Sequence, residues 1–96
     1  MGEMTVFMKD YVTETTRKLV DNPSEVSVVV SVSTKSMIIQ IKVAKEDCGK
    51  IIGRQGRTIE SLKIVCIAIK NTQYPNDIRK ILLEVLEDEE SDFVFK

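Results

Sequence analysis

The chain has 96 residues, of which 43% are hydrophobic and 30% are charged, and its net charge is −1. This length suits one domain with one modest core and is too short for two ordinary domains. The sequence has no histidine, which excludes a His-based catalytic triad and the usual zinc sites. We therefore expect neither an enzyme nor a bound metal or other cofactor.

The charges are unevenly distributed along the chain. Segment 35–70 has eight basic and three acidic residues, a local net charge of +5, so the remainder carries −6. Because the local field steers an anionic ligand, the net charge does not argue against nucleic acid. The N-terminal residues lack the apolar stretch of a signal peptide, and no apolar run approaches the ~20 residues that span a bilayer. We expect a soluble, cytoplasmic protein.

The first half of the chain predicts one helix and two strands. Residues 5–20 predict a helix, which ends before Pro23. Its apolar stripe is most simply a core face and comprises Phe7, Met8, Tyr11, Val12, Thr15 and Leu19. Segments 26–33 and 37–43 then alternate β-branched or aliphatic residues with other residues, which is typical of strands. The short polar link 33–36 between them fits a hairpin.

The second half predicts a short helix at 46–52, a second helix at 57–70 and a loop at 71–77. The second helix is apolar on most sides, so we expect the sheet on one side of it and another surface on the other. Segment 79–87 fits both a strand and a helical face. Because a third strand would turn an isolated hairpin into a sheet covered by three helices, we predict a strand.

The predicted order is α-β-β-α-α-β, an α+β fold with a three-stranded mixed sheet. The first strand would pair antiparallel with the second. The second and third strands would be parallel, joined by a right-handed crossover. We expect one domain over residues 1–87 and an acidic C-terminal tail over 88–96, most simply a solvated end. Repulsion of RNA or contact with a partner is the alternative role for the tail.

The sequence GKIIGRQGRTIESL at 49–62 carries the main functional signal. It resembles the KH signature, I-G-x-x-G-x-x-I followed by an apolar residue three positions later. Together with the element order, it resembles the type II, bacterial KH arrangement over residues 7–87. The longer stretch VAKEDCGKIIGRQGRTIESL is similar to the KhpA-type family of small bacterial single-KH proteins. The resemblance implies RNA binding of low sequence specificity, and self-association or pairing with a larger KH protein of the Jag type.

The physics of the loop Gly53-Arg54-Gln55-Gly56 supports that reading independently. A Cβ atom at either glycine would obstruct a tight turn or the close approach of a phosphate. The following helix offers free N–H groups that favour an anion. KH modules use this loop to clamp about four nucleotides of single-stranded RNA. Lys50, Arg54 and Arg57 are candidates for phosphate pairing, and Gln55 offers amide donors.

Three isoleucines flank the loop, and in the family such positions help to form a groove floor under the bases. We expect the opposite wall to come from the second strand and its hairpin, with Ile39, Ile41 and Lys35 as candidates, although alternation leaves the strand face open. With no aromatic platform, base discrimination should be weak. The predicted RNA-binding residues are Lys42, Lys45, Lys50, Ile51, Ile52, Gly53, Arg54, Gln55, Gly56, Arg57 and Ile59.

Some of these features also have a purely structural explanation. A bare GxxG often connects two helices without any function, and Cys66 is most simply a core residue. Cys48 reads as an inert thiol near a helix start. The leading function is an RNA chaperone or post-transcriptional regulator. The alternative is a KH-fold dimerisation or docking module whose RNA binding is incidental.

Overall fold

The computed structural model describes residues 2–86, and every structural statement below concerns that part of the chain. The predicted α-β-β-α-α-β order is confirmed. The elements are α1 (Glu3–Leu19), β1 (Ser27–Val32), β2 (Ser36–Lys42), α2 (Cys48–Ile52), α3 (Arg57–Gln73) and β3 (Lys80–Leu86). Single 3₁₀ turns lie at Pro23–Glu25, Lys45–Asp47 and Arg54–Gly56. The predicted acidic tail and its boundary at residue 87 lie outside the described residues.

The sheet has the order β1-β2-β3 and is mixed, as predicted. β1 pairs antiparallel with β2, with Val30 opposite Ile39, and β2 pairs parallel with β3, with Ile39 opposite Leu83. The ambiguous segment is therefore a strand. Pairing with β2 favours the strand, because the alternating apolar residues of β3 are buried only when the segment is part of the sheet.

One face of the sheet packs against all three helices and forms the core. Met37, Ile39 and Ile41 of β2 have no exposed surface, and the inward residues of β3 are also buried. Cys66 of α3 is fully buried, as expected of a core residue, and this burial raises the pKa of its thiol to about 11. The other sheet face carries Val29, Gln40 and Lys42, which alternate away from the helices.

Helix α1 buries only part of the predicted stripe. Met8 and Val12 are fully buried as predicted, and so is Thr16, whereas Phe7 and Leu19 were expected to face the core but are 43% and 39% exposed. Because apolar side chains occupy two adjacent stripes of this helix, its sequence alone did not fix which stripe meets the sheet. The exposed stripe includes Phe7, whose ring stacks on Tyr11 with centroids 6.5 Å apart.

Helix α3 continues three residues beyond its predicted end at Lys70. The composition of residues 71–73 suggested a loop, but the helix ends at Gln73, where Tyr74 has φ −134° and ψ 59°. The restriction that Pro75 places on Tyr74 explains the stop. In the described part of the chain, no helix is both long enough and apolar enough to cross a membrane.

Candidate nucleic-acid interface

The connection between α2 and α3 is a tight turn in which three residues have positive φ. Gly53 has φ 76° and ψ 176°, Gln55 has φ 56° and ψ 28°, and Gly56 has φ 74° and ψ 14°. The Gly53 N–H donates to the Gly49 carbonyl at 2.8 Å, and the Gly56 N–H donates to the Gly53 carbonyl at 3.2 Å. A non-glycine residue such as Gln55 adopts this conformation at a cost, and such residues cluster at functional sites.

Gly53 is required by packing as well as by backbone conformation. A Cβ atom at this position would lie 2.1 Å from Oγ1 and 2.7 Å from Cβ of Thr58, in the first turn of α3. The sequence predicted that a side chain at Gly53 would obstruct the turn. The obstruction comes from Thr58 of the same chain, because the loop folds directly over the start of α3.

The polar side chains of the turn are available to a ligand. Arg54, Gln55 and Arg57 are exposed, and Arg57 is the first residue of α3, whose first N–H groups have no helical partner. Within residues 2–86, no salt bridge engages Arg54 or Arg57. Two uncompensated cations therefore flank a helix N-terminus, an arrangement that favours an anion.

Lys50 is engaged elsewhere. Its ammonium lies 3.2 Å from a carboxylate oxygen of Asp21 and 3.8 Å from one of Asp47. The hydrogen bond to Asp21 is the main cause that raises the pKa of Lys50. The structure therefore directs this predicted phosphate ligand toward the link after α1, and not toward the loop.

Asp47 is a structural residue of the site that the sequence analysis missed. Its side chain is fully buried and accepts the backbone N–H groups of Asp21 at 3.2 Å and Asn22 at 3.0 Å. Burial acts to raise its pKa, but the Asn22 side chain, these N–H groups and Lys50 together lower it. Asp47 thus fixes the start of α2 to the end of α1.

Two of the three flanking isoleucines are enclosed in the core. Ile51 has no exposed surface and Ile59 has 1%, whereas Ile52 is half-buried. Ile51 and Ile59 therefore anchor the two helices beneath the loop. Among the three, only Ile52 presents a surface that a base could contact.

The expectation that β2 forms the opposite wall is wrong for Ile39 and Ile41, which point into the core. Lys42 lies at the end of β2 on the sheet face away from the helices, and Lys45 is exposed in the turn before α2. Lys35 is exposed in the hairpin. The edge strand β3 contacts both α2 and α3. Thus β3, and not β2, is the strand that lies beside the two helices flanking the loop. The parallel crossover places β3 at that edge.

A groove of about 350 Å³ lies between α3 and β3, and we call it the α3–β3 groove. It combines basic and apolar side chains, and no acidic residue of the described part of the chain lines it. The lining residues are Lys63, Ile67, Lys70, Ile78, Arg79, Lys80, Ile81 and Leu82. Arg79 is paired with Asp77, chiefly through a hydrogen bond that lowers the pKa of Asp77 to about 2. Ile78 is 88% exposed.

A second concavity, of about 550 Å³, lies between α1 and α3, and we call it the α1–α3 surface. It is lined by Phe7, Ile64, Val65, Ala68, Ile69, Thr72, Gln73 and Tyr74. Ile64 is 56% exposed and Val65 41%. The expected second surface against α3 is thus absent from the described part of the chain, which leaves this helix face uncovered.

Comparison with known proteins agrees with this architecture. The family model for the KhpA/KhpB KH domain matches residues 9–85. Chlamydia caviae RNA-binding protein KhpA is 37% identical over 81 residues, which cover 84% of this chain and 99% of that protein. The Clostridium perfringens protein of the same name is 35% identical over 81 residues, 82% of this chain and 100% of the relative. The Aquifex aeolicus protein of that name is 34% identical over 80 residues, which cover 83% of this chain and 96% of that protein. The chain therefore belongs to the KhpA/KhpB family of KH domains.

Proposed function

We propose that this protein binds single-stranded RNA and grips its backbone with the loop Gly53–Gly56. The observation that carries the proposal is a pair of exposed cations, Arg54 and Arg57, on a glycine turn at the start of α3, which no salt bridge within residues 2–86 engages. The relatives described above are named RNA-binding proteins, which supports the same ligand. Family membership also argues against an enzyme.

The loop would act as a backbone clamp. A phosphate can approach the turn closely because Gly53 and Gly56 carry no side chain, and the free N–H groups of α3 favour its charge. Arg54 and Arg57 add charge-assisted hydrogen bonds, and Gln55 adds amide donors. One KH module usually binds about four nucleotides.

The bases would lie along the α3–β3 groove, beside the half-buried Ile52. Its apolar side chains offer contact area, and Lys63 and Lys70 extend the basic surface away from the loop. Among residues 2–86, no aromatic side chain lines this groove, so these residues offer no stacking, which contributes about 1–3 kcal/mol per base. Base discrimination would therefore be weak. A low sequence specificity suits an RNA chaperone or post-transcriptional regulator, and we propose that role in the cytoplasm.

Pairing of two copies is part of the proposal. The α1–α3 surface is apolar, and its lining residues carry no charged group. A second copy that covers Ile64 and Val65 would bury this face and bring two RNA clamps together. Linked sites raise avidity, which compensates for the weak affinity of one short groove. A larger KH protein of the Jag type is the alternative occupant of the same surface.

The docking-module alternative has one observation in its favour. The α1–α3 surface is the larger and more apolar of the two concavities, while the α3–β3 groove is smaller and basic. If pairing is the main activity, Ile64→Asp should abolish the biological effect and loop substitutions should not. Light scattering tests the pairing directly: wild type should have twice the mass of one chain, and Ile64→Asp should have the mass of one. Val29→Asp, on the open sheet face, is the control.

The clamp is tested with the double variant Arg54→Asp plus Gln55→Asp. Asp tolerates the positive φ at position 55, so the fold should persist, as thermal melting will show. Its matched control is Lys9→Asp plus Ser24→Asp, at exposed sites away from the loop, which changes the net charge equally. We expect the loop variant to lose about tenfold or more in affinity for a fluorescein-labelled single-stranded RNA. Equal affinities of the two folded variants would contradict the clamp.

A further inference from the structure

The last ten residues of the chain, EDEESDFVFK at 87–96, combine five acidic residues with an apolar end. We call them the acidic tail. They lie outside the described residues and outside the family match, which ends at residue 85. The tail follows directly on Leu86, the last residue of β3. The end of β3 therefore sets the point from which the tail leaves the sheet.

The tail begins near the clamp end of the α3–β3 groove. Leu86 lies opposite Lys42, the last residue of β2, and the chain enters α2 and the loop soon after Lys42. At the other end of the groove, the Lys70 ammonium binds the Asp77 carbonyl at 2.9 Å, which joins the end of α3 to the segment before β3. Helix α3 and β3 therefore run antiparallel, and Leu86 lies toward the start of α3.

The groove is complementary to the tail in both charge and polarity. Lys63, Lys70 and Lys80 line it together with Ile67, Ile78 and Leu82. Ile78 and Leu82 are 88% and 39% exposed, so apolar surface remains to be covered. The α1–α3 surface is a poorer match, because no lysine or arginine among residues 2–86 lines it.

The tail is long enough to occupy the whole groove. From Leu86 back to Lys80, β3 spans about 20 Å at roughly 3.3 Å per residue. Ten extended residues reach about 33 Å, which leaves several residues for a reversal. Because β3 has only β2 as a strand neighbour among the described residues, its outer edge also offers backbone groups for pairing.

We propose that the acidic tail folds back into the α3–β3 groove of its own chain and competes with RNA for that groove. Its carboxylates occupy the positions of phosphates beside Lys63, Lys70 and Lys80, and Phe93 and Phe95 cover the exposed apolar residues. Docking itself needs only the groove, whereas the competition rests on the proposed RNA clamp. The tail would then exclude weakly held RNA and yield to strands that also engage the loop.

The first experiment detects docking without RNA. Amide spectra of the ¹⁵N-labelled full chain are compared with those of two full-length variants. One replaces the five acidic tail residues with their amides, and the other is Phe93→Ser plus Phe95→Ser. We expect shift changes in both variants at Ile67, Ile78 and Leu82. Unchanged groove amides would overturn the proposal, and so would changes confined to Ile64 and Phe7.

The second experiment measures competition by fluorescence anisotropy with a labelled single-stranded RNA, at about 50 mM and about 300 mM KCl. Both tail variants should bind about fivefold more tightly at low salt, which corresponds to a groove occupied roughly four-fifths of the time. The gain of the amide variant should shrink at high salt. Val29→Ser, an exposed apolar site outside the groove, is the control and should match wild type.

The phenylalanine variant separates docking from simple repulsion, because it keeps every charge of the tail. If only the amide variant gains affinity, repulsion explains the result and the proposal is overturned. If no form of the protein binds RNA, the proposed clamp fails. The spectra, which contain no RNA, still decide whether the tail docks.

Discussion

Asn22 donates two hydrogen bonds to the same carboxylate oxygen of Asp47, one from its backbone N–H and one from its side-chain Nδ2, each of 3.0 Å. This pair joins the link after α1 to the residue that precedes α2. It therefore ties the start of the short helix that leads to the loop to a residue 25 positions earlier in the chain.

Asp47→Asn should destabilise the fold and weaken RNA binding together. An amide side chain cannot accept all the N–H groups that now meet the carboxylate, and buried donors without a partner are costly. We expect the melting temperature to fall by about 5 °C or more. Glu46→Gln is the control, since Glu46 only meets the Asn22 side chain at an exposed site, at 3.3 Å. A normal melting temperature for Asp47→Asn would contradict this role.

Gly53→Ala should be severely destabilising, because the new methyl group would meet Thr58 at 2.1 Å in a conformation with φ 76°. We expect a loss of about 2 kcal/mol or more in the free energy of unfolding, measured by urea titration. Gly49→Ala is the matched control: it lies in α2 with nothing within 4 Å of the added atom. It should be neutral or stabilising by up to about 1 kcal/mol. Similar effects at both glycines would contradict the packing argument.

Thr16→Val should stabilise the protein. Thr16 is fully buried in α1, and its Oγ1 atom has no hydrogen-bond partner in the described part of the chain. Replacing the hydroxyl with a methyl group of similar shape removes the cost of that unsatisfied group, about 1–2 kcal/mol. Thermal and urea unfolding measure the gain. The same substitution at the half-buried Thr13 should give less, and a destabilised Thr16→Val would show that the hydroxyl has a partner.

Acid should remove the contribution of Asp77 to stability. Hydrogen bonds from Arg79 lower the pKa of this carboxyl from 3.8 to about 2, so its charged form is favoured by folding. The stabilisation is complete above the ordinary pKa and is lost as the pH falls toward the folded value. Asp77→Asn should therefore be less stable than wild type at about pH 5, and the difference should shrink toward about pH 2. Asp10→Asn, exposed on α1, is the control for the loss of one carboxylate charge.

The fold was largely predictable because its signals are local. The alternation in β1 and β2, the glycine turn and the Pro after α1 each depend on a few adjacent residues. Segment 79–87 needed one further step, the argument that two strands require a third. That step was sufficient because β3 has buried and exposed residues in strict alternation.

The site was less predictable because its walls are formed by contacts between residues that are far apart in sequence. Alternation identifies the two faces of β2 but not which strand lies at the edge beside α3. Thus Ile39 and Ile41, or their neighbours, were candidates for the groove with the strand face left open, and Ile39 and Ile41 belong to the core. The Asp47 contacts depend on a residue pair far apart in sequence, and no local pattern marks them. In α1, the exposed Phe7 and the buried Met8 are adjacent, and only packing distinguishes them.

The position of β3 at the edge of the sheet has a consequence for the shape of RNA that the proposed clamp could accept. A groove bounded by an edge strand is open along its length, whereas a closed channel must be threaded from a free terminus. An internal stretch of a long transcript, or a circular RNA, could be laid in sideways. The clamp would then bind linear and circular RNA alike, and it could bind any unpaired stretch of a folded transcript.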